Sequence, residues 1–332
     1  MILRSTTKPS ERFPDLAEGL VLRGEGDRSQ PPSSVTFIES HPCLLAPTCM
    51  PRQPLRIALH VCCSGARGAR GALELAPQAG IDWLEVPIRT AGYLSRSGDD
   101  PLVTDESSLA EVAEVVSEVS DRGLAIAAVP CPTGPLHRPG ELARAVKKLQ
   151  LAARLGAPLI TCDVGEAPDE EEQRRLVTHL RELGAAADGE GVLVALEFGR
   201  GFTRNHRYLQ YLLREVEHPR IRACFDPGLL HSLNDEIYSE VSLAKICHLV
   251  KHCRWRDFDG VSGSREFPPP GLGSGCINFV RMHQILRDAG YRGAWSLAIE
   301  TNSDISLEPH QMLERIRNSL GYLKRIGALD PC

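Results

Sequence analysis

From Leu55 onward, short runs of β-branched and aliphatic residues alternate with amphipathic stretches of about ten to twenty residues, the pattern of repeated strand–helix units. The runs predict strands over residues 56–61, 83–88, 124–129, 159–162, 192–197, 221–225, 250–255 and 294–299. The amphipathic stretches predict helices over 69–78, 108–122, 141–155, 170–188, 207–216, 238–247 and 279–289, and a last one over 309–326 follows the eighth strand. Gly80, Gly123, Gly156, Gly290 and Gly327 stand just past helix ends, where stop signals belong. Eight strands, each followed by a helix, within roughly 275 residues fit a single (β/α)8 TIM barrel. A doubly wound open sheet would carry a glycine-rich phosphate loop after a strand, and no GxGxxG or GxxxxGK[ST] follows any of these.

Residues 1–54 break the pattern. Eight of the chain's 24 prolines fall there, and no helix or strand period is sustained. Such a segment buries too little apolar surface to offset its ordering entropy. It is expected to be a Pro-rich, disordered or surface-draped tail, leaving 55–332 as the barrel. The chain carries 38 Lys+Arg against 43 Asp+Glu, a formal net charge of −5. That balance offers no footprint for a phosphate backbone and argues against a nucleic-acid partner. No run of about 18 apolar residues exists, so no membrane span is expected, and the start lacks the apolar segment of a secretory signal. The 11 cysteines form no CxxC pair, which predicts reduced thiols in a cytoplasmic protein.

A barrel of this kind builds its active site at the C-terminal ends of the strands. The residues closing each strand are therefore the candidates. The first strand ends near His60, followed by Cys62 and Cys63; the second carries Glu85; the third runs into Cys131-Pro132-Thr133. The fourth ends at Asp163, the fifth at Glu197 and the sixth at Asp226. The seventh supplies His252, Arg254, Arg256 and Asp257, and the eighth ends at Glu300. Several carboxylates converging on one mouth would repel one another and be costly to desolvate. A cation must sit among them: a divalent metal, a basic side chain, or both.

The segments RIALHV, ALELAPQAGIDWLEV, VLVALEFGRGFTRN, RACFDPG, KHCRWRD and GLGSGCINFVRMHQILRDAGYRGAWSLAIE resemble the sugar phosphate isomerase/epimerase group of xylose isomerase-like barrels. The likeness runs from about Leu55 to Ile326, and the last segment is its most specific part. It implies one divalent metal (Mn, Mg, Co or Zn) held by a Glu on the fifth strand, an Asp on the sixth, a His on the seventh and a Glu on the eighth. It further implies a small sugar-like substrate, and two glutamates that shuttle a proton through an enediolate. Self-association into a homo-oligomer is compatible with this reading. Glu197 in ALEFG and Asp226 in CFDPG match two ligand positions, so both are candidate metal ligands.

The other two positions depart. The strand-seven pattern becomes His252-Cys253-Arg254-Trp255-Arg256-Asp257, which puts Arg254 where the ligand His belongs. On the eighth strand, Ala298 falls at the ligand Glu and Glu300 lies two residues on. Residues two apart share a face, so His252 and Glu300 still point inward as a candidate ligand and a candidate second acid/base. They are displaced by about 6.5–7 Å along the strand, however, and metal bonds tolerate only a few tenths of an ångström. A metal site would need a strand shift or bulge. In the alternative, the Arg254 guanidinium is the cation and pairs with Glu197 and Asp226. That arrangement serves either an active site or a structural ion cluster, and the protein is then a barrel binding a polyol or an acidic ligand.

Glu197 is the candidate general base, with anchoring of Arg254 as its plain alternative; Asp226 could instead cap the turn after it. Arg265 matches a family arginine that contacts substrate hydroxyls or phosphate, and a solvated loop arginine is the other reading. His60 and Glu85 on the first two strands, and His231 five residues past Asp226, are candidate substrate contacts. A nuclease of the endonuclease IV branch would need a His-rich trinuclear zinc site, which the missing ligands oppose. Trp255 and Trp295 alternate with inward residues and are expected against the helices.

Overall fold

The computed structural model describes residues 56–93, 101–302 and 306–329; the expected tail over 1–54 lies outside them. Ten strands follow in chain order: β1 Ile57–His60, β2 Trp83–Glu85, β3 Ile88–Arg89, β4 Val103–Thr104, β5 Ala125–Pro130, β6 Leu159–Cys162, β7 Leu193–Leu196, β8 Ile221–Phe225, β9 Val250–Trp255 and β10 Trp295–Leu297. Eight of them close a parallel barrel in the order β1, β2, β5, β6, β7, β8, β9, β10 and back to β1. The helices are α1 Gly68–Ala79, α2 Leu109–Asp121, α3 Glu141–Arg154, α4 Glu170–Glu190, α5 His206–Val216, α6 Pro227–Leu233, α7 Ser239–Ile246, α8 Phe279–Asp288 and α9 Pro309–Arg325. No helix among the described residues is long and apolar enough to cross a membrane.

Helix ends follow local chemistry. Ser108 and Glu111 form a reciprocal capping box at the start of α2. Asp169 accepts from the Glu172 amide ahead of three glutamates in the first turn of α4, where negative charge suits the helix dipole. Gly80 ends α1 at φ 74°, a left-handed conformation that glycine adopts without steric cost.

The predicted strand over 83–88 is two elements. β2 stays in the barrel, whereas Ile88–Arg89 leaves it and pairs with β4 in a separate two-stranded sheet. Pro87 separates them, and a proline cannot donate to a ladder. The 3-10 turn over Val61–Arg67 and helix α6 were not expected. Cys62 and Cys63 sit in that turn, so strand alternation does not govern them; the Cys63 thiol donates to the Leu297 carbonyl.

Alternation sorts the barrel residues. Trp255 and Trp295 face outward and stack at 3.8 Å, and Phe279 of α8 meets Trp255 at 5.1 Å. Inside, Ala128, Leu159, Ala195 and Cys224 make a separate small cluster. These modest side chains leave volume for Glu85, His252 and Arg254, which are almost entirely buried. Register shifts at Leu84/Glu85 and at Ala223/Cys224 re-aim the ends of β2 and β8.

Candidate active site

Counting by twos along the strands places Asp163 beyond Thr161, Glu197 beyond Ala195, Asp226 beyond Cys224, and Glu300 beyond Ser296 and Ala298 on the inner side. Arg254 stands at the centre of this mouth. Its Nη2 lies 2.6 Å from Glu85 Oε1 and 2.8 Å from Glu197 Oε1, its Nε donates to Glu85 Oε1 at 3.1 Å, and its Nη1 reaches Asp226 Oδ2 at 3.5 Å. Nη2 also meets Thr161 Oγ1 at 3.2 Å. Arg256 is the second cation. Its Nη1 donates to Glu300 Oε2 at 2.8 Å, and its Nε lies 3.0 Å from Asp226 Oδ2 without hydrogen-bond alignment.

These contacts set the charges. Burial alone would raise the Glu85 carboxyl, but Arg254 foremost, with His60 and His252, holds it well below the usual range. Glu197 follows the same logic: burial pushes it up, and the charge and hydrogen bond of Arg254 with the Thr161 hydroxyl bring it below the ordinary value. Only Oε1 of Glu197 is held, by Arg254 and Thr161; Oε2 has no hydrogen bond to a described residue. Asp163, one strand over, accepts from the Gly165 amide at 2.9 Å. Burial, together with the charge of Glu197, raises its carboxyl above the ordinary value.

Above the ion cluster opens a cavity of about 410 Å³, lined by His60, Cys62, Asp163, Glu197, Arg265, Glu300 and Asn302 among others. An adjoining pocket of about 210 Å³ shares His60, Glu197, Arg265 and Glu300 and reaches Asp226, Arg254 and Arg256. Loop 257–278 supplies the rim. Asp257 ties its two ends by accepting from the amides of Phe258 at 2.9 Å and Ile277 at 3.0 Å. Phe267 then bridges Glu300 through paired backbone bonds of 2.8 and 3.0 Å, which turns Glu300 over the cavity.

The candidates from sequence separate clearly. Glu197, Asp226, Arg254, Arg265, Glu300 and His60 are brought to the cavity. Glu85, expected against substrate, is fully buried and serves as the main carboxylate partner of Arg254. His252, a candidate metal ligand, is also fully buried: its Nε2 lies 3.2 Å from both Glu85 Oε2 and Ser296 Oγ. It sits one layer beneath the mouth, as its register requires. His231 projects from α6 onto Ser239 Oγ at 2.6 Å and packs on Phe258, so it lines neither cavity. Asp163, Thr161 and Arg256 were not assigned a role from sequence. The alternation that found Glu197 points equally to Asp163, the residue closing the preceding strand.

The residues at the implied metal position do not fit a divalent ion. The guanidinium of Arg254 already bridges Glu197 and Asp226, Ala298 has no ligand atom, and Asp226 Oδ1 is used by the Leu229 amide at 3.0 Å. Among the described residues, no group of three or more His, Cys, Asp or Glu side chains is arranged to hold a metal.

Residues 73–326 match the family described as xylose isomerase-like TIM barrel. Similar solved structures include a xylose isomerase domain protein from Planctomyces limnophilus, at 18% identity and TM-score 0.65 over 83% of this chain and 98% of that one. The IOLI protein with a bound zinc atom is similar at 16% identity and TM-score 0.65, over 83% of this chain and 99% of its own. D-Psicose 3-epimerase from Clostridium cellulolyticum H10, solved with D-tagatose, is similar at 16% identity and TM-score 0.62, over 82% and 99%. At these identities the likeness speaks for the fold. No curated protein matches the chain.

Proposed function

Because this chain belongs to the xylose isomerase-like TIM barrel family, we propose that it moves a proton between adjacent carbons of a sugar-like hydroxy-carbonyl compound, in a site organised by arginine instead of a metal. The observation that carries the reading is the state of Glu197. Arg254 and Thr161 fix one of its oxygens and hold the group below its ordinary pKa, while the other oxygen has no hydrogen bond to a described residue and the side chain lines a cavity of about 410 Å³. A fixed carboxylate beside an acidic C–H is a general base whose proton-accepting atom is already positioned. Glu300, aimed across the same cavity and held by Arg256, is the second acid/base. Arg265 lines both cavities and makes no hydrogen bond or ion pair with a described residue, which suits it to substrate hydroxyls or a phosphate. The partner is thus a small molecule. The eight described cysteines are all free thiols, which supports a cytoplasmic setting.

One observation favours a second reading. Each nitrogen of Arg254 already has a carboxylate partner, as in an ion cluster that only shapes a binding barrel for a polyol or an acidic ligand. The two readings part in D2O. EDTA-dialysed protein is incubated with free and phosphorylated ketoses and aldoses, and deuterium uptake beside the carbonyl is followed by proton NMR. Proton transfer predicts uptake that is unchanged by EDTA and lost in Glu197→Gln. Saturable binding with no uptake for any sugar selects the binding barrel.

A further inference from the structure

The proposed proton transfer leaves negative charge on the substrate's carbonyl oxygen, and something must receive it. Neither central guanidinium is spare: Arg254 is shared among Glu85, Glu197 and Asp226, and Arg256 between Asp226 and Glu300. His60 is differently placed. It closes β1 and lines both cavities together with Glu197. In the closed order of the sheet, β1 and β7 stand four strands apart among eight, which sets His60 and Glu197 on opposite sides of the mouth. A small substrate lying across the cavity meets both.

The ring's chemistry is fixed by the backbone after it. Cys62 donates its amide to His60 Nδ1 at 3.0 Å, the first bond of the 3-10 turn that His60 caps. An accepting Nδ1 requires the hydrogen to sit on Nε2. Among the described residues that nitrogen has no hydrogen-bond partner; the nearest carboxylate oxygen, Glu85 Oε1, is 4.0 Å away. The side chain is only 14% exposed. A half-enclosed donor without an acceptor, facing a cavity opposite a carboxylate base, has the makings of an electrophile.

We propose that His60, through Nε2–H, is the catalytic hydrogen-bond donor to the substrate carbonyl oxygen, in the role the family resemblance would give to a metal. This rests on the proton-transfer reading. In the step, Glu197 Oε2 takes the C–H proton, and the electron pair becomes the C=C bond of an enediolate. The negative charge of Glu197 thereby passes to the substrate oxygen, which accepts from Nε2–H. Return of the proton by Glu197 to the adjacent carbon, with the enediolate's hydroxyl proton passing to the first oxygen, restores the starting charges. Burial lowers the imidazole pKa, while the neighbouring Cys62 and Glu85 raise it and prevail. Nε2 carries a hydrogen in either charge state, so protonation at Nδ1 would cost the Cys62 bond and leave the donor in place.

Three variants test it in the deuterium assay. His60→Asn keeps an acceptor for the Cys62 amide and loses the distal donor; His60→Gln places an amide N–H near the Nε2 position; Glu197→Gln is the reference for loss of the base. The expected result is a fall in kcat of about 10²–10³ for His60→Asn, the size seen when one oxyanion donor is removed. KM should change far less, thermal stability should match the wild type, and His60→Gln should recover part of the loss. His60→Asn exchanging at the wild-type rate, or raising KM alone, overturns the assignment and leaves the proposed reaction standing. Wild-type protein that exchanges no sugar overturns the reaction and this role with it.

Discussion

The mouth of the barrel has two layers that use the same residue types to different ends. In the floor, Glu85, His252, Arg254 and Asp226 are almost wholly buried, and each carboxylate has a cation within 3.5 Å. At the rim, among the described residues, Asp163 takes only backbone amides, Arg265 takes nothing, and Nε2 of His60 has no hydrogen-bond partner. Charges removed from water must be neutralised by neighbours, so the floor's charged groups are paired with one another, although Nδ1 of His252 has no partner among the described residues. Rim groups stay wet and keep theirs. A charged cluster in a barrel mouth is therefore not a site in itself; the unsatisfied atoms above it are.

The largest effect that separates the layers is on stability. Arg254→Met strips the counter-charge from Glu85, Glu197 and Asp226 and should destabilise the fold by about 3–5 kcal/mol, the cost of an uncompensated buried charge. Chemical denaturation measures it. Glu85→Leu combined with Arg254→Met should recover much of the loss, since replacing both partners removes the desolvation penalty along with the attraction. If Arg254→Met costs no more than a surface change, the floor is wet and the contrast collapses.

The next effect is pH-dependent and runs in opposite directions in the two layers. Glu85 is held below its ordinary value, so its contribution is present above pH 4.5 and is lost as the solution is made acidic. Asp257, which ties loop 257–278 at the rim, is raised by burial from 3.8 to about 6, despite the amides it accepts. The folded chain thus keeps a proton that the unfolded chain has released, and stability falls as pH rises between those values. The difference amounts to about 3 kcal/mol over that window. Asp257→Asn, which keeps an acceptor for the Phe258 and Ile277 amides, should flatten this descending slope in denaturation curves taken from pH 4 to 6. An unchanged slope would show that another group sets it.

The residues that line the mouth could largely be read from the sequence; how deep each one lies could not. Period-two alternation and the strand-end rule picked out Glu197, Asp226 and Arg254, and the substitution of Arg254 for the usual His gave the cation its place. The barrel followed from eight apolar runs interleaved with amphipathic stretches. Three things were hidden for physical reasons. Glu85 looked like a pocket residue because nothing local reveals how deep a strand end lies; the register shift at Leu84/Glu85 is a property of the paired strands. Alternation placed Glu300 inward, but its bridge to Phe267, a contact between segments 33 residues apart, is encoded by no periodicity. His231 was misplaced because α6 begins directly at Pro227, with Asp226 capping it, and winds the histidine away from the mouth. Asp163 was within reach, since it closes its strand as Glu197 does, and lacked only a motif to single it out.

A smaller effect probes how closely the rim is packed. A Cβ on Gly199 would fall 2.3 Å from Asp163 Oδ1, so Gly199→Ala must push the carboxylate aside. The group is the end of a short, cavity-facing side chain and can yield, which limits the cost to about 1 kcal/mol, the low end for overpacking. Asp163→Ala in the same chain should remove that cost. Thermal melts of the single and double variants decide it: additive losses would mean that the two residues do not meet.

The smallest expected effect on stability belongs to Arg265. With no partner among the described residues and an exposed side chain, Arg265→Gln should leave stability within about 0.5 kcal/mol of wild type, as ordinary surface changes do. Its effect on binding should be larger. A free guanidinium lining both cavities pairs with phosphate in a two-point contact that glutamine cannot reproduce. Titration calorimetry with one sugar and its phosphate should therefore show Arg265→Gln weakening the phosphorylated ligand more than the free one. Equal weakening of both would assign Arg265 to substrate hydroxyls. No weakening of either would return it to the solvent and confine recognition to His60 and Glu197, which face each other across the mouth.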